Sequence, residues 1–131
     1  MNSKNNYQGL IVAGTHSSAG KSSVSMGLMR LLKDSGWSIK PFKVGPDYID
    51  PAHHTRACNQ PSYNLDTVMC TKKYVKDLFD DVVQKNDLAI IEGVMGLYDG
   101  ASPISEKGST AEIAKLLNLP VLLVIDGRAL S

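Results

Sequence analysis

Short apolar runs alternate along this chain with segments of helical period. Gly9-Leu10-Ile11-Val12-Ala13 reads as a buried strand, and Val24, Leu28, Leu31 and Leu32 then recur at helical spacing up to Lys33, with Gly36 as a stop. Ser38 to Val44 reads as a second strand, in which Pro41 predicts a place towards a sheet edge, and Trp37 and Phe42 read as core. Thr71 can cap a helix whose Tyr74, Val75, Leu78, Phe79, Val82 and Val83 keep the 3.6-residue period. Leu88-Ala89-Ile90-Ile91 is a third buried strand, ending in Glu92-Gly93, and a loop over 94–108 follows it. Ser109 with Glu112 makes a capping box for a helix carrying Ile113, Leu116 and Leu117, and a fourth strand runs from Val121 to Asp126.

Strands alternating with helices imply right-handed crossovers, hence an α/β fold: a parallel sheet with helices on both faces. The expected strand order is 2-3-1-4. That order places the third strand beside the first and brings Glu92 to the carboxyl edge of the sheet, where ligands bind in such folds. Residues 45–70 lose the period and hold Pro46, Pro51, Pro61, three Asp and the adjacent His53 and His54. An irregular stretch of that length reads as a functional segment. Met1 to Tyr7 is polar and reads as frayed. A sheet of this type usually continues past a fourth strand, so the chain reads as the amino-terminal part of a larger domain, truncated after that strand.

The chemistry gathers in the stretch between the first strand and its helix, Gly14-Thr15-His16-Ser17-Ser18-Ala19-Gly20-Lys21-Ser22-Ser23. A Gly-rich loop between strand and helix points successive backbone N–H groups inward, and the helix dipole adds to their field, so the loop is a nest for phosphate. Lys21 can reach terminal phosphate oxygens, and the Ser22 hydroxyl stands where such loops hold magnesium. In the G-x-x-x-x-G-K-[ST] spacing the first slot falls on Thr15, with Gly14 just ahead of it, and position 19 is Ala. The expected fold is accordingly that of the P-loop NTPases.

Asp47, Asp50 and Glu92 converge on the same edge if the strand order holds. Magnesium takes one or two carboxylates together with phosphate and water, and Ser22, Asp47 and Glu92 can supply such a set. Lys43 leaves the second strand on that edge and can neutralise charge on a transferring phosphoryl group. No side chain stands out as a protein nucleophile, which suits phosphoryl transfer. His53, His54 and Cys58 invite a zinc reading but lack a second pair of ligands at usable spacing. His16 can donate to a phosphate or a carboxylate, or be simply exposed.

The chain has 131 residues, 43% of them hydrophobic and 21% charged, with a formal net charge of +1, which supports one globular domain and gives no reason to expect nucleic acid or an anionic membrane as main partner. Its longest wholly apolar run, Val121 to Ile125, is far short of the about 20 residues that cross a bilayer. Cys58 and Cys70 have no CxxC spacing and the start is not signal-like, so the expected setting is reducing and cytoplasmic.

Taken together, Gly14 to Ser23, then Lys43-Val44-Gly45-Pro46-Asp47-Tyr48-Ile49-Asp50-Pro51, then Glu92-Gly93-Val94-Met95-Gly96-Leu97-Tyr98-Asp99-Gly100 closely resemble the cobyrinate a,c-diamide synthases, with a dethiobiotin-synthetase-like fold. The resemblance runs from Gly9 onward, and the middle motif is its specific part. It implies ATP- and glutamine-dependent amidation of the a and c side-chain carboxylates of a corrinoid in cobalamin biosynthesis, through acyl phosphates. On that resemblance Thr15, His16, Ser17, Ser18, Ala19, Gly20, Lys21, Ser22 and Ser23 bind ATP, and Ser22, Asp47 and Glu92 look like the Mg2+ set. Lys21, Lys43, Asp47 and Asp50 look like catalytic positions, and Tyr98, Asp99 and Gly100 look like substrate-side positions. Members carry a carboxy-terminal glutaminase domain with a cysteine nucleophile, to which nothing in this sequence corresponds, so this chain by itself would use free ammonia at most. A homodimer is left open.

A nickel-sirohydrochlorin a,c-diamide synthase would show much the same motifs. Partitioning-type switch ATPases carry a signature lysine five residues before the loop lysine, where this chain has His16, and the segment from Pro46 to Asp50 counts against a dethiobiotin synthetase.

Overall fold

In the computed structural model, which describes residues 8–128, the first apolar run forms β1 (Gln8–Gly14) and the glycine-rich loop leads straight into α1 (Lys21–Asp34). The chain continues through β2 (Ser38–Val44), α2 (Ile49–Cys58), β3 (Tyr63–Leu65), α3 (Lys72–Val82), β4 (Asp87–Gly96), α4 (Thr110–Leu117) and β5 (Val121–Val124). All five strands are parallel, in the order β3-β2-β4-β1-β5. The expected 2-3-1-4 order is present as β2-β4-β1-β5, and β3 adds an edge that the apolar pattern did not predict.

Side chains alternate between the two faces of the sheet, as the pleat requires. Ile11, Phe42, Val44, Ala89 and Ile91 pack against α3 and α4 through Val75, Phe79, Ile113 and Leu117, with the Phe42 and Phe79 rings 5.2 Å apart. Val12, Ile39 and Ile90 face the other way, onto Met29 of α1 and Cys58 of α2, with Val24, Leu28 and Leu32 packed around them. Thr71 caps α3 by accepting from the Tyr74 N–H at 3.1 Å and Ser109 caps α4 by accepting from the Glu112 N–H at 3.1 Å, as expected. The capping box is only half made, because the Ser109 N–H donates to the Glu106 carbonyl at 2.9 Å and Glu112 Oε1 accepts the Gly108 N–H at 3.5 Å.

Several expectations are corrected. Residues 45–70 are not irregular: they contain α2 and β3. α2 lacks an apolar stripe because its buried positions are His54 and Cys58, so no hydrophobic period betrays it. α1 starts at Lys21 rather than Val24, since the phosphate loop winds directly into its first turn. Trp37 and Leu31 are 45% and 62% exposed and are not core. β4 extends from Asp87 to Gly96, longer than its apolar centre, and β5 stops at Val124, short of Asp126. Pro41 pairs opposite Ile90 in the half of β2 that β3 does not reach, because β3 covers only Phe42 to Val44. The reading of Met1 to Tyr7 falls outside the described residues.

Gly93 marks where β4 runs closest to α4. A Cβ there would lie 2.8 Å from both Cγ2 and Oγ1 of Thr110 and 3.0 Å from the Val12 carbonyl oxygen. Gly93→Ala is expected to lower the unfolding free energy by about 1–3 kcal/mol in urea titration, the usual cost of overpacking. An unchanged midpoint would show that α4 gives way freely.

Candidate active site

The start of the phosphate loop is pinned between the chain leaving β4 and the end of β5. The Leu97 N–H donates to the Gly14 carbonyl at 2.9 Å, and the Thr15 N–H donates to the Val124 carbonyl at 3.3 Å. Residues 15–18, which follow these ties, are exposed, and Ala19 is half-buried. Gly20 takes φ +105°, a left-handed turn that glycine makes without Cβ strain, and it swings the chain into α1. α1 has no side-chain cap and no acidic residue in its first turn. Its leading N–H groups are therefore directed at the loop, where an anion would complete them. Lys21 folds back over this cradle with Nζ 3.5 Å from the His16 carbonyl oxygen.

Around the cradle, charged groups converge from three other segments. Glu92 on β4 is fully buried and accepts hydrogen bonds from Ser22 Oγ and, at 2.5 Å, from His54 Nε2. Lys43 on β2 stands in register with Glu92, is 5% exposed, and donates from Nζ to the Gly93 carbonyl at 2.9 Å. The same Nζ pairs with Asp50 at 2.8 Å and lies 4.0 Å from Asp47. Asp47 also accepts the Ile49 N–H at 2.8 Å and the Asp50 N–H at 3.4 Å, opening α2 as an Asx turn. Its turn-forming role and its place in the charge cluster thus coexist.

The electrostatics follow from this crowding. Burial pushes the Lys21 ammonium below its ordinary value and Lys43 pushes it further, while Glu92, Asp50 and Asp99 pull it partly back. For Glu92, burial works against the charged form, but His54, Ser22 and Lys43 together outweigh it and hold the carboxyl below its ordinary value. The cradle thus holds the Lys21 and Lys43 ammonium groups close enough to oppose each other, with the Glu92 carboxylate fixed beside them.

Tyr98, Asp99 and Gly100 border the same edge. Asp99 Oδ2 accepts the Gly96 N–H at 2.9 Å, and Tyr98 is 67% exposed. Met95, Tyr98, Asp99 and Gly100 line an open cleft of about 480 Å³ with residues 101–103. A second hollow of about 250 Å³, lined by Thr15, Gly96, Leu97, Tyr98, Asp99 and Leu123, joins this loop to the phosphate loop.

Ser22, Glu92, Lys21, Lys43, Asp47 and Asp50 are therefore brought together. His16 and Ser23 are exposed at the loop's outer side, with His16 Nδ1 2.5 Å from the Ser17 carbonyl oxygen. Of the residues weighed for zinc, His53 is exposed, while the buried Cys58 thiol donates to the His54 carbonyl. Among the described residues no group of three or more His, Cys, Asp and Glu is placed to hold a metal. The oxygen donors Ser22 and Glu92 suit magnesium shared with phosphate and water rather than an all-protein cage. His54 was weighed in sequence only as a zinc ligand, and its contact with Glu92 was missed; the one available signal was its spacing of one helical turn from Asp50.

Residues 8–130 match the family model described as an AAA domain. Among relatives, the cobyrinate a,c-diamide synthase of Methanobrevibacter smithii is 49% identical over 92% of this chain and 27% of its own length. That of Syntrophotalea carbinolica is 48% identical over 93% and 27%, and that of Salmonella typhimurium 46% over 95% and 27%. The chain thus spans about a quarter of the length of these relatives. With its parallel sheet and phosphate loop, it belongs to the AAA-domain family that this model describes and has the P-loop NTPase fold.

Proposed function

We propose that this chain is the nucleotide-binding part of a cobyrinate a,c-diamide synthase, in which ATP activates a peripheral corrinoid carboxylate for amidation. The carrying observation is that Lys21, Lys43 and Glu92, from three separate segments, meet Ser22 at the carboxyl edge of the sheet. The relatives' names supply the substrate class, and the motifs around Asp47 and Tyr98 support the same assignment.

On this reading the loop N–H groups and Lys21 bind the ATP phosphates. A corrinoid carboxylate oxygen attacks the γ-phosphorus, the bond to the bridging β–γ oxygen breaks, and ADP leaves. Ammonia, free or released from glutamine elsewhere in the complete protein, then attacks the acyl carbon; phosphate departs and a proton is lost to leave the amide. Lys21 and Lys43 stabilise charge gathering on the transferring group. Ser22 and Glu92, with Asp47, would hold magnesium, which when bound neutralises phosphate charge. Asp50 keeps the Lys43 ammonium in place, and Tyr98, Asp99 and Gly100 face the corrinoid from the open cleft.

The test is ADP release by the complete protein with glutamine or ammonium. Turnover is expected only when a carboxylated tetrapyrrole is supplied, and comparing cobyrinate with nickel-sirohydrochlorin identifies which. Asp47→Asn keeps the oxygen that caps Ile49 but removes its charge. It is expected to cut turnover at least about tenfold while shifting the unfolding free energy by less than about 0.5 kcal/mol. Equal losses in both would assign Asp47 to the turn alone.

A further inference from the structure

α2 presents Asp50 and His54 one helical turn apart, on the same side of the helix. Asp50 binds the ammonium of Lys43 at 2.8 Å, and His54 binds the carboxylate of Glu92 at 2.5 Å. One helix face therefore fastens two oppositely charged side chains that stand in register on adjacent strands.

The His54 ring is fully buried, and Glu92 is buried with it. A carboxylate only accepts hydrogen bonds, so His54 Nε2 is the donor. Ser62 Oγ stands 3.0 Å from Nδ1, which fixes the ring from its other side. The imidazole is thus held between Ser62, in the segment joining α2 to β3, and Glu92 of β4. Glu92 meets Ser22 through Oε1 and His54 through Oε2, so the two contacts define its rotamer. Burying His54 at this point has no packing advantage that an apolar side chain would lack. Its specific product is the direction of the Glu92 carboxylate.

We propose that His54 is a positioning residue, which with Ser62 behind it orients Glu92 towards Ser22 and so preorganises the magnesium-binding side of the phosphate cradle. The proposal rests on the nucleotide-site reading above. Residues that hydrogen-bond a metal-binding carboxylate tune its affinity by about 10–100-fold.

The test uses the complete protein and a fluorescent ATP analogue, titrated with and without Mg2+. His54→Leu keeps most of the volume and removes the donor. It is expected to raise the Mg2+ concentration for half-maximal analogue binding about tenfold, with metal-free analogue binding unchanged. His54→Gln places an amide N–H near the position of Nε2 and is expected to restore most of the loss. Ser62→Ala, an independent perturbation that leaves His54 in place, is expected to shift the Mg2+ requirement in the same direction by a smaller factor. A folded His54→Leu protein with wild-type Mg2+ dependence overturns the proposal. Should His54→Leu not fold, a wild-type Mg2+ requirement in the Ser62→Ala variant, with reduced thermal stability, overturns it equally by assigning the Ser62–His54 contact to folding. Failure of the wild-type protein to bind the analogue at all would instead sink the nucleotide-site reading.

Discussion

Lys21→Ala is expected to reduce corrinoid-dependent ATP turnover by about a hundredfold or more, while the unfolding free energy stays level or rises. The two effects have one cause. Lys21 is 8% exposed, and burial together with the neighbouring Lys43 depresses its pKa, so its charged form is held at a cost to the folded state. Truncation relieves that cost and removes the group that would meet the terminal phosphates. Urea titration beside ADP release separates the outcomes, and a stability loss matching the activity loss would make Lys21 a structural residue.

A pH signature accompanies this split. Folded Lys21 binds its proton less tightly than unfolded lysine, whose ordinary value is 10.5. Between the two values the unfolded chain carries more protons, so the Lys21 contribution to stability rises as pH climbs through the folded value towards the unfolded one. The alanine variant lacks this component on the alkaline side. Bound phosphate acts in the opposite direction by favouring the ammonium, so nucleotide affinity falls as pH rises through that range.

The parts of this molecule that obey a single period were legible in its residues. β1 and β4 announce themselves as apolar runs, α3 by its stripe from Val75 to Phe79, and α4 by the Ser109 cap. The order expected for the four strands that were read is kept within the five-stranded sheet, and with it Glu92 arrives beside Ser22. α2 and β3 were hidden for a physical reason: the inward face of α2 is occupied by His54 and Cys58, and β3 is only three residues long. The same fact concealed the role of His54, because a buried histidine that serves a carboxylate is indistinguishable in sequence from one that binds a metal. Trp37 misled in the opposite sense, since aromatic character favours burial but the turn after α1 leaves the ring half in solvent.

Glu92→Gln tests the other half of the site, and its effect is expected on both function and the acid limb of stability. Ser22 and His54 both donate to the Glu92 carboxylate, which accepts both without conflict. A glutamine has one accepting oxygen and one donating amide, so one of the two contacts must rearrange, at about 1–3 kcal/mol for a buried polar mismatch. Mg2+-dependent ADP release should fall by about a hundredfold, because a neutral amide is a poor ligand for a hard cation. The pH dependence gives the sign. The folded Glu92 carboxyl is held below its ordinary value of 4.5, so its stabilising contribution is fully present above that value and is lost as pH falls through the folded one. Unfolding titrations in EDTA at a series of pH values should show wild type more stable near neutrality and the gap to Glu92→Gln narrowing in acid. A gap that stays constant into acid would mean that the charge of Glu92 is not what Ser22, His54 and Lys43 hold. The site would then be a packed polar contact rather than a poised carboxylate.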